Sequence, residues 1–305
     1  NREQLTSFLG SVWGNLTTAI EKSRNISSDE LDRYLNEGLA MGQASNAVDY
    51  KLADGLRYRY EVENCVKEMA GQDVKGKLKT AGEDKIVSIK VKEKENKNKI
   101  AVLYAEGEIR DEDSSSPFSA DEQVISEEMA NKLRKLKDDD DVKAVVFRVN
   151  SPGGSAYISE QIWKEVVELK AKKPIVVSMG NYAASGGYYI SCAANKIVAE
   201  RTTLTGSIGV FGVVRNFTGT FDKVGVTTDI VKTNTFADLG DISRPMREDE
   251  KALIQRGVEQ TYDLFLTRCA DGRGMTKAEI DSIGQGRVWT GEQALERGLV
   301  DQLGG

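Results

Sequence analysis

Short apolar runs alternate with amphipathic helical patterns from residue 100 to the end of the chain. Four runs rich in Ile, Val and Ala show no alternation with polar residues: 100–104, 144–149, 175–179 and 197–199. Apolar residues recur at helical spacing in the segments between and after them: 120–136, 159–171, 248–270 and 276–283. Non-alternating strands separated by helices are typical of a parallel sheet that helices cover. The pattern therefore predicts an α/β fold with a mostly parallel sheet covered by helices.

The last two helices of this pattern have counterparts near the start of the chain. Residues 26–56 share with residues 275–304 a capped helix start, a Glu-Leu/Ile-Asp step, a loop and a closing Leu-Ala/Val-Asp step. The preceding helices correspond at a single offset, which pairs Trp13 with Tyr262, Leu16 with Phe265, and Arg24 with Arg273. A shared spacing over about fifty residues indicates a tandem repeat. The chain is predicted to contain the tail of one copy and the whole of a second.

A charged segment separates the two copies. Residues 74–99 are dense in Lys, Glu and Asn, which indicates a solvated linker, and residues 86–91 alternate in the manner of a short edge strand. We therefore expect residues 1–73 to be the end of a truncated first copy and residues 100–305 to be the domain that carries the chemistry. The body of the first copy is expected upstream of Asn1.

Composition narrows the chemistry that this chain can perform. The chain has His 0, which excludes a Ser-His-Asp triad, a Cys-His dyad and an ordinary zinc site. Its 305 residues are 39% hydrophobic and 30% charged, with a net charge of −6, so the acidic balance argues against nucleic acid as a partner. No cofactor or metal is expected. The three cysteines show no CxxC spacing and predict no disulfide framework, and Cys192 is predicted to be a buried apolar residue.

Three glycine-rich segments follow strands of the predicted sheet: 148–155 (RVNSPGGS), 182–188 (YAASGGY) and 203–210 (TLTGSIGV). The first offers two glycines whose N–H groups can face an anion. The second places Ser185 between small residues at a strand-to-helix junction, as in a nucleophile elbow, with a predicted helix over 187–194. The third supplies two hydroxyl groups in a bend. Each segment taken alone is explained at least as well by an ordinary structural role, a turn for the first and third and a closely packed helix start for the second.

In this order and at this spacing, the three segments resemble the signal peptide peptidase A (protease IV) family of serine peptidases, within the ClpP/crotonase-like superfamily. Further strings that match this family are GRGM with AEID and GRVWTG with GLVD, both near the end of the chain. The resemblance covers residues 100–305 almost continuously. Together with the tandem repeat, it implies the long, two-domain form of the family.

The resemblance assigns roles to four residues. It makes Ser185 the nucleophile, and it makes the N–H groups of Gly154 and Gly186 the oxyanion hole. Ser207 occupies the position whose hydroxyl holds a general-base lysine in this family. The implied machinery is a Ser/Lys dyad, in which burial must lower the pKa of the lysine before it can accept a proton.

The chain departs from the family pattern at the base. In short-form relatives the lysine follows a Val/Ile-Lys step in this domain, and here Ala237 occupies that position. Lys232 matches an earlier, non-catalytic lysine of the pattern. In long-form relatives the base comes from the N-terminal domain, so we expect the lysine upstream of Asn1. These 305 residues alone are expected to be inactive or weakly active.

The resemblance implies a serine endopeptidase that degrades cleaved signal peptides and other hydrophobic peptides at the cytoplasmic membrane. Its catalytic part is expected to face outside the cytoplasm, in the periplasm, on a membrane anchor that these residues do not contain. A homo-oligomer is also implied. The apolar cleft beside Ser185 is expected to have Ile208, Val210 and Phe211 in its wall.

Two other functions are compatible with the same architecture. A crotonase-type acyl-CoA enzyme would use paired N–H groups and a carboxylate base, but it would leave Ser185 without a role. A peptide-binding or assembly module without catalysis would explain why the base is missing. Truncation of the first copy explains that absence more simply.

Overall fold

The structure is a computed structural model that describes residues 2–36, 43–82, 85, 97–111 and 123–305. The chain forms two compact units, one made of Asn1–Phe8 with Lys97–Gly305 and the other of Leu9–Asn96. The edge strand predicted at 86–91 and the first residues of the helix predicted at 120–136 lie outside the described residues.

Within the described residues before position 83, four helices precede the sheet: α1 (Arg2–Arg24), α2 (Ser28–Asn36), α3 (Ser45–Asp49) and α4 (Arg59–Met69). The unit of residues 9–96 has a small apolar cluster, in which Ile26, Leu31 and Tyr34 are buried. Tyr34 stacks on Tyr50 with ring centroids 4.0 Å apart. The cluster connects α2 to the turn after α3.

The larger unit contains the sheet and its helices. Its elements in chain order are β1 (Lys99–Glu106), β2 (Glu108–Ile109), β3 (Val124–Ile125), α5 (Glu128–Asp138), β4 (Val142–Ser151), α6 (Ala156–Lys170), β5 (Ile175–Ala184), α7 (Gly186–Tyr189), β6 (Lys196–Ala199), β7 (Leu204–Gly206), α8 (Thr218–Val224), α9 (Glu248–Arg273), α10 (Lys277–Ile283), β8 (Val288–Thr290), α11 (Gly291–Glu296) and β9 (Gln302–Leu303).

The main sheet has the strand order β1-β4-β5-β6-β9, and all of these neighbours are parallel. The end of β5 leaves this path and pairs in parallel with β7, which in turn pairs antiparallel with β8. Val145, Phe147 and Val149 of β4 point into the core that α6 and α9 help to close. The predicted α/β fold with a mostly parallel sheet is confirmed.

One strand shows that an apolar run does not always mean burial. Ile100, Val102 and Tyr104 of β1 are exposed. They lie on an edge strand, and no described element covers that side of it. The apolar run thus predicted the strand at 100–104 but not the exposure of its side chains.

Two predicted helices are shorter than expected. Val124–Ile125 forms a strand instead of helix because buried Ile125 pairs with Ile109 in a separate two-stranded sheet, and the helix begins only at Glu128. The helix predicted over 187–194 ends at Tyr189. Turns follow it because the N–H of Asn195 donates to the Ile175 carbonyl (3.0 Å) and returns the chain to the sheet.

The two segments that the sequence aligns as a repeat have the same local geometry. Arg24 donates from Nε to the Lys51 carbonyl (2.6 Å) and pairs with Asp54 (3.0 Å). Arg273 donates from Nε to the Gly298 carbonyl (2.9 Å) and pairs with Asp301 (2.6 Å). The division of the chain into domains at residues 73 and 99 stays a prediction.

Candidate functional site

Ser185 connects β5 to α7 in a strained backbone conformation. Its φ is +51° and its ψ is −119°, a combination that costs a residue with a side chain about 1–3 kcal/mol. The Ser185 N–H donates to the Gly206 carbonyl (2.9 Å), and the Ser185 carbonyl accepts from the Tyr189 N–H (2.9 Å). These bonds hold the residue in a sharp strand-to-helix turn, which is the geometry of a nucleophile elbow.

Glycines let a second turn approach the elbow closely. A Cβ on Gly153 would lie 2.6 Å from the Gly186 nitrogen and 2.8 Å from the Ser185 Cβ. A Cβ on Gly187 would lie 2.6 Å from the Ser151 carbonyl oxygen. Side chains do not fit at these positions, so the turn after β4 packs directly on Ser185.

Two N–H groups beside Ser185 have no hydrogen-bond acceptor among the described residues. The bridge between Ile109 and Gly154 uses the Gly153 carbonyl (2.8 Å) and the Ser155 N–H (2.7 Å), so the Gly154 N–H takes no part in it. Gly186 is the first residue of α7, where an N–H has no acceptor within the helix. An oxyanion next to Ser185 is the kind of acceptor that such a pair of N–H groups can bind.

A cleft of about 780 Å³ opens beside Ser185. It is lined by Glu108, Pro152, Gly153, Gly154, Ser185, Ser207, Gly209, Val210, Phe211, Gln255, Val258, Glu259, Tyr262, Gln285 and Gly286. A smaller cavity of about 150 Å³ adjoins Ser185 and is lined by Gly186, Thr261 and Phe265, among others. The structure thus places all four sequence-predicted residues around two neighbouring cavities that share Ser185 and Gly154.

The wall of the cleft differs from the prediction at one residue. Val210 and Phe211 line both cavities as expected, and Phe211 is 86% exposed. Ile208 is 1% exposed and belongs to the core, so its prediction as a wall residue is wrong. The reason is that the chain around residue 208 pairs with the loop before β8, where the Gly286 N–H donates to the Ile208 carbonyl (2.8 Å).

No lysine lines the cleft in the described part of the chain. Lys232 donates to Asp238 Oδ1 (2.9 Å) and to the Thr235 carbonyl (3.3 Å). Its ion pair belongs to a network in which Arg244 bridges Asp238 and Glu250. The hydrogen bond from Lys232 holds the pKa of Asp238 well below its usual range. Lys232 is therefore occupied in a structural ion pair.

One side of the cleft was not predicted from the sequence. Gln255, Val258, Glu259 and Tyr262 lie on a single stripe of α9 at helical spacing, and Gln285 follows α10. Burial, together with a hydrogen bond to Asp281, raises the pKa of Tyr262 to about 12, so its hydroxyl stays protonated at neutral pH. The amphipathic pattern predicted α9, but it did not show which residues of the helix face the serine.

Known proteins share much of this sequence. Residues 167–305 match the profile of Peptidase family S49, and residues 115–208 match that of Clp protease. Protease 4 of Haemophilus influenzae is 36% identical over 313 residues, which cover 99% of this chain and 50% of that protein. The chain is thus similar in sequence to peptidase family S49. The resemblance drawn from the three glycine-rich segments is thereby confirmed.

Two other known proteins are also similar to this chain over most of its length. The chloroplastic serine protease SPPA of Arabidopsis thaliana is 32% identical over 100% of this chain and 45% of its own length. The putative signal peptide peptidase SppA of Enterococcus faecium is 38% identical over 73% of this chain and 65% of its own length. The chain thus spans about half the length of the first of these relatives and of Protease 4.

Among solved structures, a ClpP1 mutant from Listeria monocytogenes matches with a TM-score of 0.44 and 14% identity, over 66% of this chain and 90% of that one. Within the described residues, no helix combines the length and the apolar character that crossing a bilayer requires.

Proposed function

We propose that this chain is the nucleophile-bearing part of a serine endopeptidase. The strained backbone of Ser185 carries the proposal. Such strain costs free energy and persists only where the surroundings impose it, which is typical of active sites and is not required in an ordinary turn. The names of the relatives in family S49 support the same activity. A crotonase-type acyl-CoA reaction would leave this strained serine without a role.

The proposed reaction has two steps on Ser185. Its Oγ attacks the carbonyl carbon of the scissile peptide bond, and the developing oxyanion accepts hydrogen bonds from the N–H groups of Gly154 and Gly186. The tetrahedral intermediate then expels the amine, which takes a proton from the general acid, and leaves an acyl group on Ser185. Water hydrolyses this ester and restores the serine.

The general base in this proposal is a lysine that this chain does not supply. Ser207 follows β7 and lines the cleft that also contains Ser185, so its hydroxyl is suited to hold an incoming ammonium or amine. A lysine desolvated in this cleft would have a lowered pKa and could accept the Ser185 proton. The residues around Lys232 offer no substitute, since Lys232 is paired with Asp238.

The substrates that we propose are apolar peptides, including cleaved signal peptides. Val210, Phe211 and Val258 give the large cleft an apolar wall. The smaller cavity beyond Gly186 would hold the side chain next to the scissile bond. The name of the Enterococcus faecium relative, a putative signal peptide peptidase, supports this substrate class.

We further propose that the protein is a membrane-anchored homo-oligomer with a first repeat copy upstream. By the repeat, Leu16 of α1 corresponds to Phe265 of α9, yet Leu16 is 51% exposed whereas Phe265 is 2% exposed. The body of a first copy would cover Leu16 as the core of the second copy covers Phe265, whose ring packs on Tyr189. Exposed apolar residues after the cleft, among them Val213, Val224 and Val231, support contact between subunits.

The decisive experiment is hydrolysis of a fluorogenic apolar peptide by this chain and by a longer protein that includes the first copy. Each protein is compared with its Ser185→Ala variant. Activity of the longer protein alone, lost in Ser185→Ala, supports a dyad completed from upstream. Ser185-dependent activity of the shorter chain would refute the upstream base, and silence of both folded proteins would favour a binding module.

A further inference from the structure

Tyr262 connects three elements behind the cleft. Its hydroxyl donates to Asp281 Oδ1 of α10 (2.6 Å) and accepts from the backbone N–H of Gln285 (2.9 Å). Gln285 has a φ of +58°, which a residue with a side chain adopts only at a cost. The Tyr262 hydroxyl is thus one of the contacts that hold the loop of residues 284–287 in shape.

The loop of residues 284–287 is hydrogen-bonded to the chain at Ser207 and at the residue after it. The Ser207 N–H donates to the Arg287 carbonyl (2.8 Å), and the Gly286 N–H donates to the Ile208 carbonyl (2.8 Å). Gly209 also packs on Gly286 so closely that a Cβ on Gly209 would lie 2.7 Å from the Gly286 Cα. The position of Ser207 therefore depends on the shape of the loop.

Strand β7, which ends just before Ser207, is hydrogen-bonded to the segment that carries Ser185. Gly206 ends β7, and its carbonyl accepts the Ser185 N–H (2.9 Å). One strand position earlier, the Thr205 hydroxyl donates to the Ala183 carbonyl (2.7 Å). A series of hydrogen bonds, joined by short stretches of backbone, thus connects the Tyr262 hydroxyl through the loop and β7 to the backbone of Ser185.

The repeat shows that this hydroxyl is specific to the copy that carries Ser185. Tyr262 aligns with Trp13 of the first copy, and Asp281 aligns with Asp32. The carboxylate is present in both copies, whereas a phenol to bind it is present only in the second. A bond needed merely to fold the shared helical tail would be expected in both.

We propose that Tyr262 is a positioning residue of the reaction, which fixes Ser185 and Ser207 through the loop of residues 284–287. This inference rests on the proposed peptidase function. It assigns Tyr262 an effect on the rate of the chemical step rather than on substrate affinity, although its ring lines the cleft.

The test uses an apolar peptidyl diphenyl phosphonate, whose phosphorus bonds to a serine Oγ as phenoxide leaves. The rate of adduct formation is followed by intact-protein mass spectrometry across probe concentrations on the longer protein that includes the first copy, because this chain is proposed to lack the general base. Tyr262→Phe, which removes one oxygen, is expected to slow the maximal rate roughly tenfold and to leave the half-saturating concentration unchanged. Tyr104→Phe on the exposed side of β1 is the matched control and should react like the unsubstituted protein.

Variants of the partner separate positioning from a loss of fold. Asp281→Asn keeps an oxygen that can accept the phenol hydrogen and should retain at least half of the rate. Asp281→Ala should react as slowly as Tyr262→Phe, and the double variant should react no more slowly than either. All three changes disrupt the same series of hydrogen bonds from Tyr262 to Ser185. Hydrogen exchange should quicken at residues 204–209 and 284–288 in Tyr262→Phe and Asp281→Ala, but not in Tyr104→Phe or Asp281→Asn.

The outcomes separate this inference from the function on which it rests. If the longer protein that includes the first copy forms no adduct on Ser185, the proposed function fails and this inference falls with it. If that protein reacts on Ser185 and its Tyr262→Phe variant reacts equally fast, the positioning role is wrong and the function stands. A slower reaction that comes entirely from weaker probe binding would also overturn it, since Tyr262 would then be a binding residue.

Discussion

Gly153→Ala adds a single methyl group where the turn after β4 meets the elbow. The new Cβ would lie 2.6 Å from the Gly186 nitrogen and 2.9 Å from the Ala184 carbonyl oxygen. To reach van der Waals contact at 3.4 Å, the two segments must separate by about 0.8 Å. We expect the methyl group to displace both the nucleophile and the N–H of Gly186.

The size of the effect follows from strain and geometry. Gly153 has a φ of +102°, which costs alanine about 1–3 kcal/mol, and overpacking adds about 1–3 kcal/mol. At roughly 2–4 °C for each kcal/mol in a domain of this size, the melting temperature should fall by roughly 4–24 °C. A displacement approaching 1 Å at reacting atoms should slow the reaction of Ser185 by roughly 100-fold.

The assay is phosphonate adduct formation, normalised to the folded fraction measured by near-UV circular dichroism. Gly274→Ala is the matched control, because Gly274 also has a positive φ (+65°) but no atom lies within 4 Å of its missing Cβ. It should lose about 1–2 kcal/mol and react at the natural rate. A folded Gly153→Ala protein that reacts as fast as Gly274→Ala would refute the close packing of the turn on the elbow.

Three further predictions test strain, specificity and acid stability. Ser185→Gly removes the side chain from a strained position and should raise the unfolding free energy by about 1 kcal/mol above that of Ser185→Ala; equal thermal stability of the two would show that no strain is stored there. Thr261→Leu narrows the small cavity beside Gly186. The ratio of the reaction rate with an alanine-sized phosphonate to that with a leucine-sized one should rise roughly tenfold. An unchanged ratio would place that side chain of the probe elsewhere. The hydrogen bond from Arg244 lowers the pKa of Glu250 to about 2 from 4.5, so the pair stabilises the fold above pH 4.5 and loses its effect as the pH falls toward 2. The melting temperatures of the natural chain and Glu250→Gln should therefore converge over that pH range, and a constant gap would contradict the assignment.

The sheet and the glycine-rich segments were predictable because local sequence determines them. β4, β5 and β6 follow their apolar runs, and the small residues around Ser185 leave room for the turn that the structure has. Only the small residues around Ser185 indicated that its backbone would be strained, since serine itself has no preference for a positive φ.

The remaining parts depend on partners that are distant in the sequence. Val124–Ile125 forms a strand because Glu108–Ile109 pairs with it, and the helical spacing of apolar residues around it did not reveal that partner. Ile208 is buried because the loop before β8 covers it, although its neighbours in the chain face the cleft. The contribution of Tyr262 likewise requires a contact with Gln285, 23 residues later in the chain.

The assignment of Ser185 as the nucleophile is tested most directly by locating the phosphonate adduct on the longer protein that includes the first copy. After reaction with the apolar peptidyl phosphonate and proteolysis, tandem mass spectrometry should find a single adduct on Ser185. That adduct should be missing from Ser185→Ala and should form more slowly in Tyr262→Phe. An adduct on Ser207 or another hydroxyl, or equal labelling of Ser185→Ala, would contradict the assignment of Ser185 as the nucleophile.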